Sequence, residues 1–225
     1  MSNSTISPIN SDLAYANYWK RKELLTNSPH FPTKHWWADS SFSEIEQIIF
    51  DRIKAKSTIL DVGAGDLRIQ QKFYRAGFQG VYHTQDIGQE FTYTYSTLEE
   101  IDQKYEAVLC FDTIEHLELR PGLALLHQLI DRVETGGLLV IQTPNARCIS
   151  NPLSWDMTHL HCYSIHDLWA YLTSFGLKVE GYRVIFGKPS RNLIEKFSSL
   201  ASRLMITRLL GHDYAANIVL IAQKL

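Results

Sequence analysis

Apolar and polar positions change period several times along this 225-residue chain. Leu13 to Leu25, with Tyr15, Tyr18 and Trp19, reads as an aromatic helix, and a loop carrying Pro29, Pro32, Trp36 and Trp37 follows. Ser41-Phe42-Ser43 opens a helix whose apolar residues Ile45, Ile48, Ile49 and Ile53 recur at helical spacing. From Ser57 short apolar runs alternate with helical periods. The runs Ile59–Val62, Val81–Asp86, Phe91–Tyr95, Tyr105–Phe111, Leu138–Ile141, Leu177–Phe186 and Asn217–Ala222 predict seven strands. Between them, Asp66–Ala76 is helical and stopped by Gly77, and Pro121–Val133 lines up Leu123, Leu126, Ile130 and Val133 on one face. Ser164–Phe175 is a helix with Ser164 as its N-cap and Gly176 as its stop.

Strands that alternate with helices imply a parallel sheet covered on both faces. The expected fold is therefore α/β: a Rossmann-like, doubly wound, mostly parallel seven-stranded sheet whose last strand is antiparallel. An N-terminal segment and helical cap, residues 1–40, precedes the main domain at 41–225. A helical insertion at about 189–212 interrupts the last strand pair. Within it, Leu193, Phe197, Leu200, Leu204 and Leu209 leave Glu195, Lys196, Arg203 and Arg208 elsewhere on the helix. Such a helix can pack on its own domain, close over a substrate, pair with a second copy or touch lipid as a peripheral contact over 191–210.

Composition narrows the choice of function. With 45% hydrophobic and 20% charged residues the chain is ordinary for a globular protein, and a net charge of −2 supplies no basic field for duplex nucleic acid. Cys110, Cys148 and Cys162 are widely spaced, which points to a reducing compartment. Met1 to Ser11 lacks the charged-then-apolar order of a signal peptide, and no run approaches the ~20 apolar residues of a membrane span. A cytoplasmic location is expected.

The chemistry concentrates at the end of the first strand. Asp61-Val62-Gly63-Ala64-Gly65-Asp66 follows Ser57-Thr58-Ile59-Leu60 directly, so a strand ends in a tight glycine turn that opens a helix. Gly63 and Gly65 let the main chain approach a ligand that any Cβ would repel. Asp86, 21 residues after Gly65, ends the next strand, where its carboxylate can accept from both hydroxyls of a ribose. Asp61 can accept from the turn's N–H groups or reach a ligand ammonium through water. Arg68 stands where the dinucleotide fingerprint places a third glycine, which disfavours a nicotinamide or flavin dinucleotide.

Four stretches resemble the class I S-adenosylmethionine-dependent methyltransferases, of the small-molecule group that includes ubiquinone-biosynthesis O-methyltransferases. Ile59–Gly65 resembles the first motif and Asp86-Ile87 the acidic end of the second strand. Tyr105–Leu117, with Asp112, Glu115 and His116, resembles the fourth strand and its trailing Glu-His. Gly136–Asn145 resembles the fifth strand and the following loop. The resemblance implies S-adenosyl-L-methionine as cofactor, held by Asp61, Gly63, Gly65, Asp86, Ile87, Phe111 and Asp112. Two departures stand out: Asp66-Leu67 replaces a third small residue, and Tyr95-Ser96-Thr97 lacks the Asp often found near the adenine amine.

Methyl transfer from a sulfonium needs alignment and dryness, and a hydroxyl acceptor also needs a base. His116 is the first choice of base and His161 the second, with His159 beside it in Thr158–Tyr163. No metal is assigned, although Asp112, Glu115, His116 and His161 resemble a divalent-ion cluster of related methyltransferases. Trp19, Trp36, Trp37 and Trp155 fall in segments that cap such clefts. The expected activity is methylation of an oxygen or nitrogen of a small molecule, with a sugar or lipid-linked glycan among the acceptors. A nicotinamide-dependent oxidoreductase and a non-catalytic S-adenosylmethionine-binding module are the alternatives.

Overall fold

Strands buried on both faces carry apolar side chains at consecutive positions, and the central runs of this chain form such strands. The computed structural model describes residues 18–26, 41–185 and 192–225. Among them are β1 (Thr58–Val62), β2 (Val81–Gln85), β3 (Tyr105–Phe111), β4 (Val133–Pro144), β5 (Leu177–Val184) and β6 (Asn217–Lys224). Their spatial order is β2-β1-β3-β4-β6-β5. The first four neighbours are parallel, and β6 runs antiparallel to both β4 and β5. The helices are α1 (Tyr18–Thr26), α2 (Glu44–Ile53), α3 (Arg68–Arg75), α4 (Leu119–Arg132), α5 (Ile165–Ser174) and α6 (Leu193–Leu209). The architecture is Rossmann-like, doubly wound α/β.

Alternation along each strand divides the interior in two. Leu60, Val108, Cys110, Leu139 and Ile141 face one side, where Leu126 and Leu129 of α4 and Leu168 and Leu172 of α5 cover them. Ile59, Ala107, Leu109 and Val140 face the other, against Ile49 and Ile53 of α2 and Ile69 and Phe73 of α3. Local signals set the helix starts. Ser43 and Glu46 form a reciprocal capping box on α2, and Ser164 accepts from the Asp167 N–H on α5. Lys72 of α3 reaches Glu46 of α2 at 2.9 Å, an ion pair that joins the two helices on one face.

Among the described residues the sheet has six strands, not the expected seven. Phe91–Tyr95 meets β2 only through an isolated bridge between Tyr95 and Gln85. The β-branched and aromatic pattern there is real, but side chains take over the pairing. The Thr84 N–H donates to Thr94 Oγ1 and the Thr94 N–H to Thr84 Oγ1, both at 3.1 Å. Hydroxyls thus occupy positions that a ladder would give to carbonyls. Other boundaries moved by a few residues. β4 extends back to Val133, the helix predicted from Pro121 begins at Leu119, and Leu13–Asn17 and Phe186 lie outside the described residues.

The threonine exchange makes a testable contribution. Thr84→Val removes the acceptor of the Thr94 N–H while keeping the side chain's volume. It is expected to cost about 1 kcal/mol in urea unfolding, whereas Thr92→Val, at an exposed position, should stay within about 0.5 kcal/mol of the parent. Equal effects would show that the exchange does not hold the segment.

Candidate functional site

Five strand ends meet at one cavity of about 980 Å³. Val62, Gln85, Phe111 and Pro144 end β1 to β4, and Asn217 joins them because β6 begins where β4 ends. The strand order reverses around β1, and a crevice at such a reversal is where open α/β sheets bind ligands.

The turn after β1 is fastened to the end of β2. The N–H groups of Gly63 and Ala64 donate to the Gln85 carbonyl at 2.8 and 3.1 Å. Gly63 and Gly65 have φ of +73° and +52°. A Cβ at 63 would lie 2.1 Å from Thr113 Oγ1, and one at 65 would lie 2.8 Å from the Trp19 ring, so both positions require glycine. Asp86 completes the cradle: Oδ2 accepts from the Gly65 N–H and Oδ1 from the Gly88 N–H, each at 2.8 Å. A carboxylate has about four lone-pair sites, so both oxygens retain acceptor capacity. Ile87 beside it is exposed and lines the cavity. Further along the turn, Leu67 is left-handed at φ +61°, where the resemblance has a small residue. Only side-chain-poor residues adopt that conformation without strain.

Asp61 is 2% exposed and accepts from the Tyr82 hydroxyl at 2.8 Å. Burial raises its carboxyl to about 7, and the hydroxyl opposes that rise only in part. Asp112, also left-handed at φ +49°, follows Phe111 at the end of β3. Its carboxylate accepts from Gln142 Nε2 at 3.0 Å and Asn217 Nδ2 at 3.2 Å, so amides of β4 and β6 fix it.

Beyond Asp112 a short 3-10 turn, Ile114–His116, sets two groups side by side. Glu115 is fully buried, with Oε2 accepting from the Thr143 hydroxyl at 3.0 Å and Oε1 lacking a partner among the described residues. Burial, then the neighbouring Asp112, pushes its carboxyl well above the usual range. His116 Nδ1 lies 3.2 Å from the Thr158 carbonyl, a partner suited to an Nδ1–H, which assigns proton acceptance to Nε2. Burial, then His159, brings His116 down to about 4, so the ring is neutral near pH 7.

His159 is the second histidine of the cavity. Its ring stands 4.9 Å from that of His116, and its Nδ1 is 2.8 Å from the Pro152 carbonyl. His161 is not among the residues lining the cavity and packs against Tyr163 at 4.7 Å instead. A local turn separates them. Asp156 Oδ1 accepts from both the N–H and the hydroxyl of Thr158, and the His159 N–H donates to the Asp156 carbonyl. That bend aims His159 inward, and the Glu115 carbonyl then accepts from the N–H groups of Leu160 and His161 at 2.8 and 3.1 Å. Among the described residues, ligand atoms of Glu115, His116 and His159 lie within 4.8 Å of one another, a mixed set of the type that suits Mg, Mn or Zn. Asp112 and His161 are not part of it.

Asp156 also anchors the N-terminal helix. Arg21 and Lys22 of α1 reach its two oxygens at 2.9 and 2.6 Å. Burial opposes ionisation of Asp156, yet Lys22 and Thr158 hold its carboxyl below the ordinary value. The latch seats Tyr18 edge-on to His116 at 5.9 Å and brings Trp19 over Gly65. Trp155 lines the same cavity, while Trp36 and Trp37 lie outside the described residues. Sequence reasoning recognised the aromatic helix without its latch, because Arg21 and Asp156 are 135 positions apart and carry no shared motif.

Comparison with known proteins bears on the family and the fold. Residues 37–181 match the family model described as "Methyltransferase domain". The chain is 23% identical over 200 residues to the ubiquinone biosynthesis O-methyltransferase of Rickettsia felis, covering 70% of this chain and 81% of that relative. Among solved structures, an S-adenosylmethionine-dependent methyltransferase from Archaeoglobus fulgidus superposes with a TM-score of 0.59 at 18% identity, over 80% of this chain and 94% of that one. The magnesium protoporphyrin IX methyltransferase of Synechocystis, with bound S-adenosylhomocysteine, also gives 0.59, at 11% identity over 96% and 100%. At those identities the structures speak for the fold.

The raised Asp61 carboxyl has a consequence for stability. Its folded value, about 7, lies above the ordinary 3.8, so the native state keeps a proton that the unfolded chain releases between those values. The contribution is present in full below about pH 4 and is lost as pH rises through 7. Asp61→Asn removes this dependence and still accepts from Tyr82. Relative to the parent, the variant should gain on the order of 3 kcal/mol in unfolding free energy between pH 4 and pH 8. A difference that stays constant with pH would contradict the assignment.

Proposed function

The chain belongs to the methyltransferase-domain family, and from that premise we propose that it transfers a methyl group from S-adenosylmethionine to a hydroxyl oxygen of a small molecule, with His116 as base. The observation that carries this reading is one continuous cavity. It joins the Gly63–Gly65 and Asp86 cradle at one end to His116 and His159 at the other. At about 980 Å³ it is at the upper end of small-molecule pockets, with room for a cofactor and a small acceptor together. The relative from Rickettsia, named as an O-methyltransferase, supports oxygen as the acceptor atom. Family membership displaces the nicotinamide alternative.

The residues present fit the cofactor. Asp86 offers acceptor sites for two ribose hydroxyls, Ile87 an apolar face for the base, and the glycine turn a main chain free of side chains. Asp61 and Asp112 supply carboxylates toward the amino-acid end, and Phe111 lines the wall between. When bound, S-adenosylmethionine would supply an activated methyl, which the acceptor oxygen would take as the carbon–sulfur bond breaks with its electron pair left on sulfur. The protein's own work is then positioning and proton removal. His116, neutral at working pH, takes the hydroxyl proton at Nε2 while the Thr158 carbonyl fixes the ring through Nδ1. Glu115 precedes it in the chain, held by the Thr143 hydroxyl, and Tyr18, Trp19 and Trp155 exclude water and offer rings against which a flat or sugar-like acceptor stacks. A sugar or a lipid-linked glycan fits such a wall.

Two variants separate the roles. With labelled S-adenosylmethionine and a small-molecule extract, His116→Ala should lower methyl incorporation about 10²–10⁴-fold while S-adenosylhomocysteine affinity stays within about twofold. Asp86→Asn should weaken S-adenosylhomocysteine binding about 10–100-fold, the worth of one or two charge-assisted hydrogen bonds. Full turnover by His116→Ala would remove the base assignment, and unchanged affinity in Asp86→Asn would remove the ribose assignment.

A further inference from the structure

The described side chains of α6, from Leu200 onward, have little of the domain to pack on. Among its described side chains and Leu210 just beyond, only Ser202 and Ile206 are even partly covered. Leu200, Leu204, Met205, Leu209 and Leu210 are exposed, Leu209 at 75%. A helix of this composition facing water would leave an apolar surface of the size that marks an interaction site.

The loop that borders the cavity is tied to the end of α6 and carries exposed apolar residues of its own. Arg147 donates to the Gly211 carbonyl, the Asp213 N–H donates to the Arg147 carbonyl, and the Ile149 N–H donates to the Asp213 carbonyl. These bonds stitch the end of α6 to the segment after β4. On that segment Ile149, Met157 and Leu160 are exposed, Met157 at 80%, while Asp156 and His159 between them line the cavity. The insertion also leaves β5 at Val184 and returns at Asn217, paired residues at the edge where the cavity opens.

Charge selects the occupant. Residues 188–212 hold five basic residues, Lys188, Arg191, Lys196, Arg203 and Arg208, against one acid, Glu195, whereas the whole chain stands at −2. A segment of formal charge +4 on an otherwise acidic chain, with leucines and methionine exposed near Arg208, complements a surface that is apolar within and anionic outside. A second copy of this chain would bring the same positive charge against itself. No helix among the described residues is long and apolar enough to cross a membrane, so the contact is a surface one.

We propose that α6 and the adjoining 149–160 loop dock on an anionic phospholipid bilayer, which sets the mouth of the cavity against the membrane surface. The acceptor, on the reading given above, is then a molecule presented from the bilayer rather than from bulk water.

The test is co-sedimentation of the full chain with vesicles of phosphatidylcholine alone and of phosphatidylcholine mixed with phosphatidylglycerol, at low and high salt. Binding should require phosphatidylglycerol and weaken with salt. Arg208→Glu should lower it about tenfold or more, as expected for reversal of one charge near the surface. The double variant Leu204→Glu, Leu209→Glu should abolish it. S-adenosylhomocysteine affinity should be unchanged in both, which separates failure of this inference from failure of the methyltransferase reading and shows that the variants fold. Absence of vesicle binding, or equal binding to pure phosphatidylcholine, would overturn the proposal. So would conversion of a stable dimer to a monomer by the leucine variants with no effect on vesicles, because the occupant would then be a second copy.

Discussion

The bond between the Asp86 carboxylate and the Gly65 N–H governs the geometry of this protein. It closes the turn after β1 against the end of β2, and the Gln85 carbonyl reinforces it through Gly63 and Ala64. Neither strand alone could hold a left-handed turn open at the sheet edge, because each exposed N–H would seek water or a competing carbonyl. One acid, acting on Gly65 and Gly88, turns two strand ends into the wall of a cavity. The rest of the site is arranged around that wall: Asp112 is clamped by Gln142 and Asn217, and His116 is set by the turn that follows.

Polarity changes across the cavity. At the cradle, carboxylates and main-chain donors face one another. At the far end two histidines, a buried glutamic acid and the ring of Tyr18 make a drier space. Burial is what depresses His116 and elevates Glu115, so both groups are driven toward their neutral forms. A neutral imidazole beside a water-poor pocket can accept a proton without first losing one. The ion pairs from Asp156 to Arg21 and Lys22 keep α1 over this end and so maintain the exclusion of water.

Much of this was legible in the sequence where a physical requirement leaves a local trace. Gly63 and Gly65 mark positive φ, Asp86 marks a strand end at the right spacing, and consecutive apolar residues mark strands covered on both faces. Tertiary choices left no such trace. Phe91–Tyr95 has the residues of a strand, but Thr84 and Thr94 exchange side-chain bonds that preempt the ladder. The sequence favours His161 over His159 in Thr158–Tyr163, whereas the Asp156–Thr158 turn and the Glu115 carbonyl accompany a path in which His159 lines the cavity. The Asp156 latch joins segments too far apart in sequence for any pattern to connect.

A structure of the chain with S-adenosylhomocysteine bound is the most direct measurement of whether the glycine turn and Asp86 form a nucleoside site. The ribose hydroxyls are expected within hydrogen-bonding distance of the Asp86 carboxylate, the base along Ile87, and the sulfur directed toward His116. A nucleoside bound elsewhere, with Asp86 still engaged only by Gly65 and Gly88, would contradict it.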